Sequence, residues 1–244
     1  MTRRCILTLL VSCLLQGASA QTGLRDLLQR VQAAYRRPAY LGFKVRYAYA
    51  NDNQPDHPVD TLCGEFDMDK GRTCFVIPGT VSLVSGEYAV QVVSEDKLIY
   101  ISNAHFANPV DPASSIDTII RHLDLVQPSV TGEGPSETLT LIFPPGQPYT
   151  RMQMTVDTLT GYIQEMTYDL YTAGFVDRDQ LDRPGHQGPY QAKGRVTIVF
   201  SQYKTGGFGD EVFDTGRYFT RVGSQFLPAA PYKDYHIFLA SSHY

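Results

Sequence analysis

The sequence predicts an α+β protein that is mainly antiparallel β, with about ten to twelve strands in one sheet and two amphipathic helices to roof it. Three observations predict this. Apolar residues alternate with period two over most of the chain, tight polar turns separate the runs, and only two segments carry helical period. A sheet of that length must curl or close, and two one-sided helices cannot cover both of its faces. The helices therefore lie over the concave face, above an interior that is either a cavity or a packed core.

Residues 1–20, MTRRCILTLLVSCLLQGASA, have a basic start at Arg3 and Arg4, an apolar stretch too short to span a membrane, and an Ala18-Ser19-Ala20 site. They read as a secretory signal peptide cleaved before Gln21, leaving 21–244 as a single domain without linker or internal repeat. Leu10-Val11-Ser12-Cys13 also resembles a lipobox, so anchoring through a lipidated Cys13 is a second reading. The leader carries two arginines and no acid, and its removal takes the net charge from −4 to −6. An acidic domain without a basic cluster is a poor binder of nucleic acid.

The first helix follows Thr22, with Leu24, Leu27, Leu28, Val31 and Tyr35 on one face and Arg25, Asp26, Gln29, Arg30 and Gln32 on the other. A second is predicted over 112–125. Asp111 caps it, Pro112 sits in its first turn, and Ile116, Ile119, Ile120 and Leu123 share a face.

The strands come in order. Leu41, Phe43, Val45, Tyr47 and Tyr49 share a face; Tyr88, Val90 and Val92 follow the Ser85-Gly86-Glu87 turn; Leu98 to Ile101 follow Glu95-Asp96-Lys97. Later come Leu139, Leu141 and Phe143, then Val196, Ile198 and Phe200, then Tyr218 to Val222 and Tyr235 to Leu239. Between them, 150–171 (TRMQMTVDTLTGYIQEMTYDLY) reads as a hairpin turning at Asp157-Thr158 and Thr160-Gly161. Its apolar face holds Met152, Met154 and Val156 opposite Tyr162, Met166, Tyr168 and Leu170. Methionine suits irregular or changing company.

Only Cys63 and Cys74 remain in the mature chain, and a bond would need them nearly opposite. With Gly71 ending a three- or four-residue loop, Cys63 faces Val76 or Ile77 instead, so two buried free cysteines are expected. No Gly-x-Ser-x-Gly elbow, His-Glu-x-x-His or phosphate-cradling glycine loop is present, and the histidines are scattered. The expectation is a non-enzyme that uses no cofactor or metal. Asp67-x-Asp69-x-Gly71 has the opening of a calcium loop without its later ligands and reads as a hairpin turn. The long loop Thr172 to Lys193, with Asp177, Asp179 and Asp182, is a partner-binding flap, a weak cation site or a solvated insertion.

The order of these segments resembles the LolA-like family of periplasmic lipoprotein carriers. An amphipathic helix leads to YLGFKVRYAY, then GEFDMDKGRTCFVIPG, then VVSEDKLIYISN; a short helix, LTLIFPP, the Asp-x-x-Thr-Gly-x-Ile hairpin and VTIVFSQYKTGGFGDEVF follow. The resemblance implies an incomplete, half-open barrel under a helical lid, whose apolar cavity shields the acyl chains of lipoproteins in the periplasm. It implies no catalysis.

Shielding an acyl chain is worth about 0.8 kcal/mol per buried methylene, so a carrier needs an extended dry wall. The expected wall is Phe43, Val45, Tyr47, Leu139, Leu141, Met152, Met154, Met166, Ile198 and Phe200, faced from the lid by Leu27, Leu28, Ile116, Ile119 and Ile120. An early-strand arginine helps latch the lid in the family. Arg72 in GRTCF is the nearest match, without the family's adjacent proline. The expected protein is a monomeric carrier or sensor of lipoprotein acyl chains or other lipid, working with membrane-bound envelope proteins. The alternative is an envelope protein-interaction module on the same fold with a filled core. If the methionines line a cavity, Met154→Ala costs under about 1.5 kcal/mol, less than a packed-core truncation.

Overall fold

The computed structural model describes residues 23–104, 127–132, 134–207 and 209–240. The leader, Cys13 and the helix predicted over 112–125, with Ile116, Ile119 and Ile120, lie outside them. Among the described residues one helix, α1 (23–36), precedes fourteen strands. These are β1 (Tyr40–Asn51), β2 (Pro58–Asp69), β3 (Arg72–Ile77), β4 (Thr80–Ser85), β5 (Tyr88–Val93), β6 (Leu98–Asn103) and β7 (Gln127–Thr131). Then come β8 (Ser136–Ile142), β9 (Tyr149–Asp157), β10 (Ile163–Tyr171), β11 (Lys193–Lys204), β12 (Phe219–Val222), β13 (Gln225–Pro228) and β14 (His236–Leu239).

Twelve strands form one sheet in the order β14-β6-β5-β4-β3-β2-β1-β11-β10-β9-β8-β7, while β12 and β13 pair separately. The ends do not meet, so the sheet is open. The mainly antiparallel class and the strand number follow the sequence pattern, with one correction: β14 runs parallel to β6. The chain divides into two compact units, one within 1–37, 49–59 and 115–198, the other within 38–48, 60–114 and 199–244.

In the first unit, α1 buries Leu24, Leu27, Leu28, Val31, Ala34 and Tyr35. It is seated against the turn of the β9–β10 hairpin, where Tyr35 meets Tyr162 edge-on at 5.8 Å and Arg30 pairs with Glu137 at 2.9 Å. The turn is built by Asp157, whose Oδ1 accepts from the Leu159 and Thr160 amides and from the Thr160 hydroxyl. Gly161 closes it at φ 77°, in the left-handed region, and a Cβ there would lie 3.0 Å from the Ala34 Cβ. A larger residue there is strained by the left-handed backbone and crowds α1, which would have to give by a few tenths of an ångström.

On the buried face, Met154 stands between Leu139 of β8 and Met166 of β10, and Met152 between Leu141 and Tyr168. A bulge between Ile163 and Glu165 shifts the register, so Ile163 and Met166 both point inward three residues apart. Strict alternation misses Ile163 for that reason.

The opposite face is polar. Thr138 and Thr155 share a hydrogen bond, Gln153 donates to Thr140, and Asp169 accepts from Arg151 and Arg195 at 2.7 Å each. Burial alone would raise the pKa of Asp169, but the hydrogen bonds and charges of the two arginines outweigh it and hold the group below its ordinary 3.8. A carboxylate depressed in the folded state contributes stability above its unfolded pKa and loses it as pH falls through the folded one. Asp169→Asn should therefore flatten the decline of stability below about pH 4 in a series of urea titrations. An unchanged acid limb would show that the arginines do not stabilise this carboxylate.

In the second unit, Asp69 pairs with Arg72, leaving Lys70 (φ 47°) and Gly71 (φ 88°) as a two-residue turn. The loop is shorter than expected, which puts Glu65 opposite Val76 and carries Cys63 past both of its expected partners. Both cysteines are free; Cys74 is buried, but Cys63 is exposed, because it lies on the outward-alternating residues of β2.

Strands β3 to β6 form a regular meander. One face carries Cys74, Leu83, Val90, Val92, Ile99 and Ile101, and the C-terminal segment covers it with Phe213, Tyr218 and Phe219. The residues expected as a strand from Tyr218 begin at Phe219 and pair with β13 outside the main sheet.

Candidate functional site

The sequence-predicted wall divides between the units. In the first, Leu139, Leu141, Met152 and Met154 are at most 2% exposed and Met166 is 5% exposed, while Ile198 is half-buried. Leu27 and Leu28 of α1 are fully buried. In the second unit, Phe43 stacks on Phe66 at 5.0 Å and touches Tyr203 at 5.3 Å and Phe200 at 5.9 Å. Val45 is buried, Tyr47 and Phe200 are half-buried, and burial raises the pKa of the Tyr47 phenol.

Among the described residues Arg72, the latch expected from the resemblance, is held between the β2–β3 hairpin and the C-terminal segment, and the helix predicted over 112–125 lies outside them. Its guanidinium pairs with Asp69, reaches Asp210 at 3.0 Å and lies 4.5 Å over the Phe213 ring. It clasps the C-terminal segment to the β2–β3 hairpin, and among the described residues these contacts include none on α1.

Sequence reasoning missed a groove on the second unit. Side chains directly opposite one another across a sheet share a face. The pairings Phe66–Phe75, Phe75–Ser82, Ser82–Gln91 and Gln91–Tyr100 therefore place one row across five strands, away from the C-terminal cover. Beside it runs a second row, Thr73, Val84, Ala89 and Ser102. Together they border a groove of about 420 Å³ in which none of the described lining residues is charged. The pattern Tyr88, Val90, Val92 hid it. Two apolar faces alternate in β3 to β6, and only the tertiary position of residues 210–240 shows which one is covered.

A second depression, of about 520 Å³, lies on the other face of β1 to β3. It is charged, with Lys44, Arg46 and Glu65 beside exposed Cys63, and Lys44 pairs with Glu65 at 3.2 Å. The groups that could bind are thus sorted by face, ionic on one side and neutral on the other.

The loop from Thr172 is anchored to the first unit. The Tyr49 hydroxyl shares a 2.7 Å hydrogen bond with the fully buried Thr172, and the Tyr190 ring meets Tyr49 edge-on at 5.1 Å. Asn51 donates to the Pro189 carbonyl at 3.0 Å and accepts from the Gln191 amide at 2.8 Å. Asn51→Ala should therefore free the loop and speed trypsin cleavage after the exposed Arg178 by about tenfold, if it removes about 1.4 kcal/mol of closure; Arg183 precedes Pro184 and is not a trypsin site. An unaltered cleavage rate would show that Asn51 does not restrain it.

An open, mainly antiparallel sheet with a helix on one part of it defines the class. No family model matches the chain, and no curated protein matches it. Among solved structures it is similar to a LolA superfamily protein from Nitrosomonas europaea, at 11% identity and TM-score 0.32 over 78% of this chain and 97% of that one. It is similar also to the Mycobacterium tuberculosis lipoprotein LppX, at 14% identity and TM-score 0.37 over 73% and 95%. The MucA/MucB complex of Pseudomonas aeruginosa aligns at 14% identity and TM-score 0.38 over 84% of this chain and 62% of that one. All three are partial likenesses of fold, at TM-scores below 0.4.

Proposed function

We propose that the protein is an exported carrier or sensor of the cell envelope that holds an apolar ligand, lipoprotein acyl chains or another lipid, for transfer toward the outer membrane. The observation that carries this reading is the uncharged groove on β3 to β6, opposite the face packed by the C-terminal segment. A sheet that needs only a core buries one face and turns polar side chains to water on the other. Here the second face keeps Phe75, Val84 and Tyr100 half-buried around open volume. Export by the leader read in residues 1–20 would bring the protein to where lipids must cross water, and each methylene shielded there is worth about 0.8 kcal/mol.

The test is native mass spectrometry of the mature protein purified without detergent, with displacement of an apolar fluorescent probe. Bound lipid, or saturable probe binding reversed by acyl compounds, supports the carrier. Absence of both favours the second reading, a protein-interaction module acting through the 172–193 loop. The filled face of the first unit, where Met152 and Met154 are at most 2% exposed, favours that reading.

A further inference from the structure

We propose that the groove on β3 to β6 selects uncharged amphiphiles, lipids whose head is a hydroxyl or neutral carbonyl group, over fatty acids and other ionised lipids. The inference rests on the carrier reading and adds the ligand's head-group chemistry. Its basis is the order of residues along one row. Ser82 and Gln91 stand side by side at the centre, with the Phe75 and Phe66 rings on one side and Tyr100 on the other. The row continues onto β14, where the Phe238 ring lies 5.5 Å from that of Tyr100.

Neighbouring strands are about 4.8 Å apart, so Phe75 and Tyr100 are separated by roughly 14 Å, with two hydrogen-bonding side chains between them. A hydroxyl supplies one donor and accepts as well, and an amide offers both donor and acceptor. This pair can satisfy a neutral head that donates and accepts. It offers an ionised carboxylate no cation, since none of the described lining residues is charged. A head lodged against half-buried Ser82 and exposed Gln91 sheds part of its water, a loss that costs an unpartnered anion more than a hydroxyl, which exchanges that water for equivalent partners. Thr73 and Ser102, in the adjacent row, extend the same neutral polarity.

The experiment measures binding of dodecanol and dodecanoate to the mature full-length protein at about pH 8, by displacement of a neutral fluorescent probe, for wild type and Gln91→Lys. Gln91 is exposed, so lysine is accommodated at the surface; unchanged unfolding midpoints verify this. Wild type is expected to prefer dodecanol by at least about tenfold, and Gln91→Lys to bind dodecanoate about tenfold more tightly than wild type does, through a new ion pair. Equal or tighter binding of dodecanoate by wild type overturns the selectivity and leaves the carrier reading standing. A dodecanol preference that Gln91→Lys leaves unchanged overturns the assignment to this groove. Binding of neither compound, with no lipid on the purified protein, overturns the carrier reading and this inference together.

Discussion

Arg72→Ala is expected to destabilise the protein by about 3–5 kcal/mol, because it strands a buried carboxylate. Asp69 is 1% exposed and pairs with Arg72, while its Oδ1 has no hydrogen-bond partner among the described residues. The same guanidinium covers the Phe213 ring, which packs against the sheet with Tyr218 and Phe219. Loss of Arg72 therefore removes a charge partner and loosens the C-terminal segment at once. Arg72→Lys keeps the charge without the planar stack on Phe213 and should lose less. Asp210→Asn should change little, since Asp210 is 87% exposed and such pairs are worth about 0–1 kcal/mol. Urea unfolding of the three variants checks the ranking, and an Arg72→Ala loss no larger than that of Asp210→Asn would show that Asp69 is not held by this pair.

Met154→Ala is expected to cost about 2–5 kcal/mol, the range for truncating a packed core side chain. The sequence reading expects under about 1.5 kcal/mol, on the premise that a cavity already exists at this position. Met154 is fully buried, paired with Leu139 on one side and Met166 on the other, and sits in the same face as Met152 and Val156. Truncation there opens a void rather than enlarging one. Equilibrium unfolding decides between the two values. A loss below about 1.5 kcal/mol, with a changed affinity for an acyl ligand, would restore the methionine hairpin as a ligand wall.

The hairpin itself was legible because its signals are local. Asp157 and Gly161 define the turn, and residues 152, 154 and 156 alternate into one face whatever that face meets. The helix at 23–36 was legible for the same reason, its apolar stripe repeating at helical spacing. The bulge that turns Ile163 inward was not, since an extra residue in a ladder leaves no mark on composition. The two-residue turn at Lys70-Gly71 was misjudged by its length, and with it the exposure of Cys63.

Sequence by itself determined the mainly antiparallel class, the strand number, the hairpin turns and the apolar face of α1, because each depends on residues within a few positions of one another. Tertiary structure alone decided what each apolar face meets. Strands β3 to β6 carry apolar side chains on both faces, more of them on the face of Leu83, Val90 and Ile101, and periodicity does not say what lies against either. The choice is made by residues 210–240, more than a hundred positions away from most of the sheet they cover. They bury Leu83, Val90 and Ile101 and leave the row through Ser82 and Gln91 around open volume. Burial is a property of contacts between distant segments, and periodicity, which reports only which side chains share a face, carries no information about the segment that will lie against it.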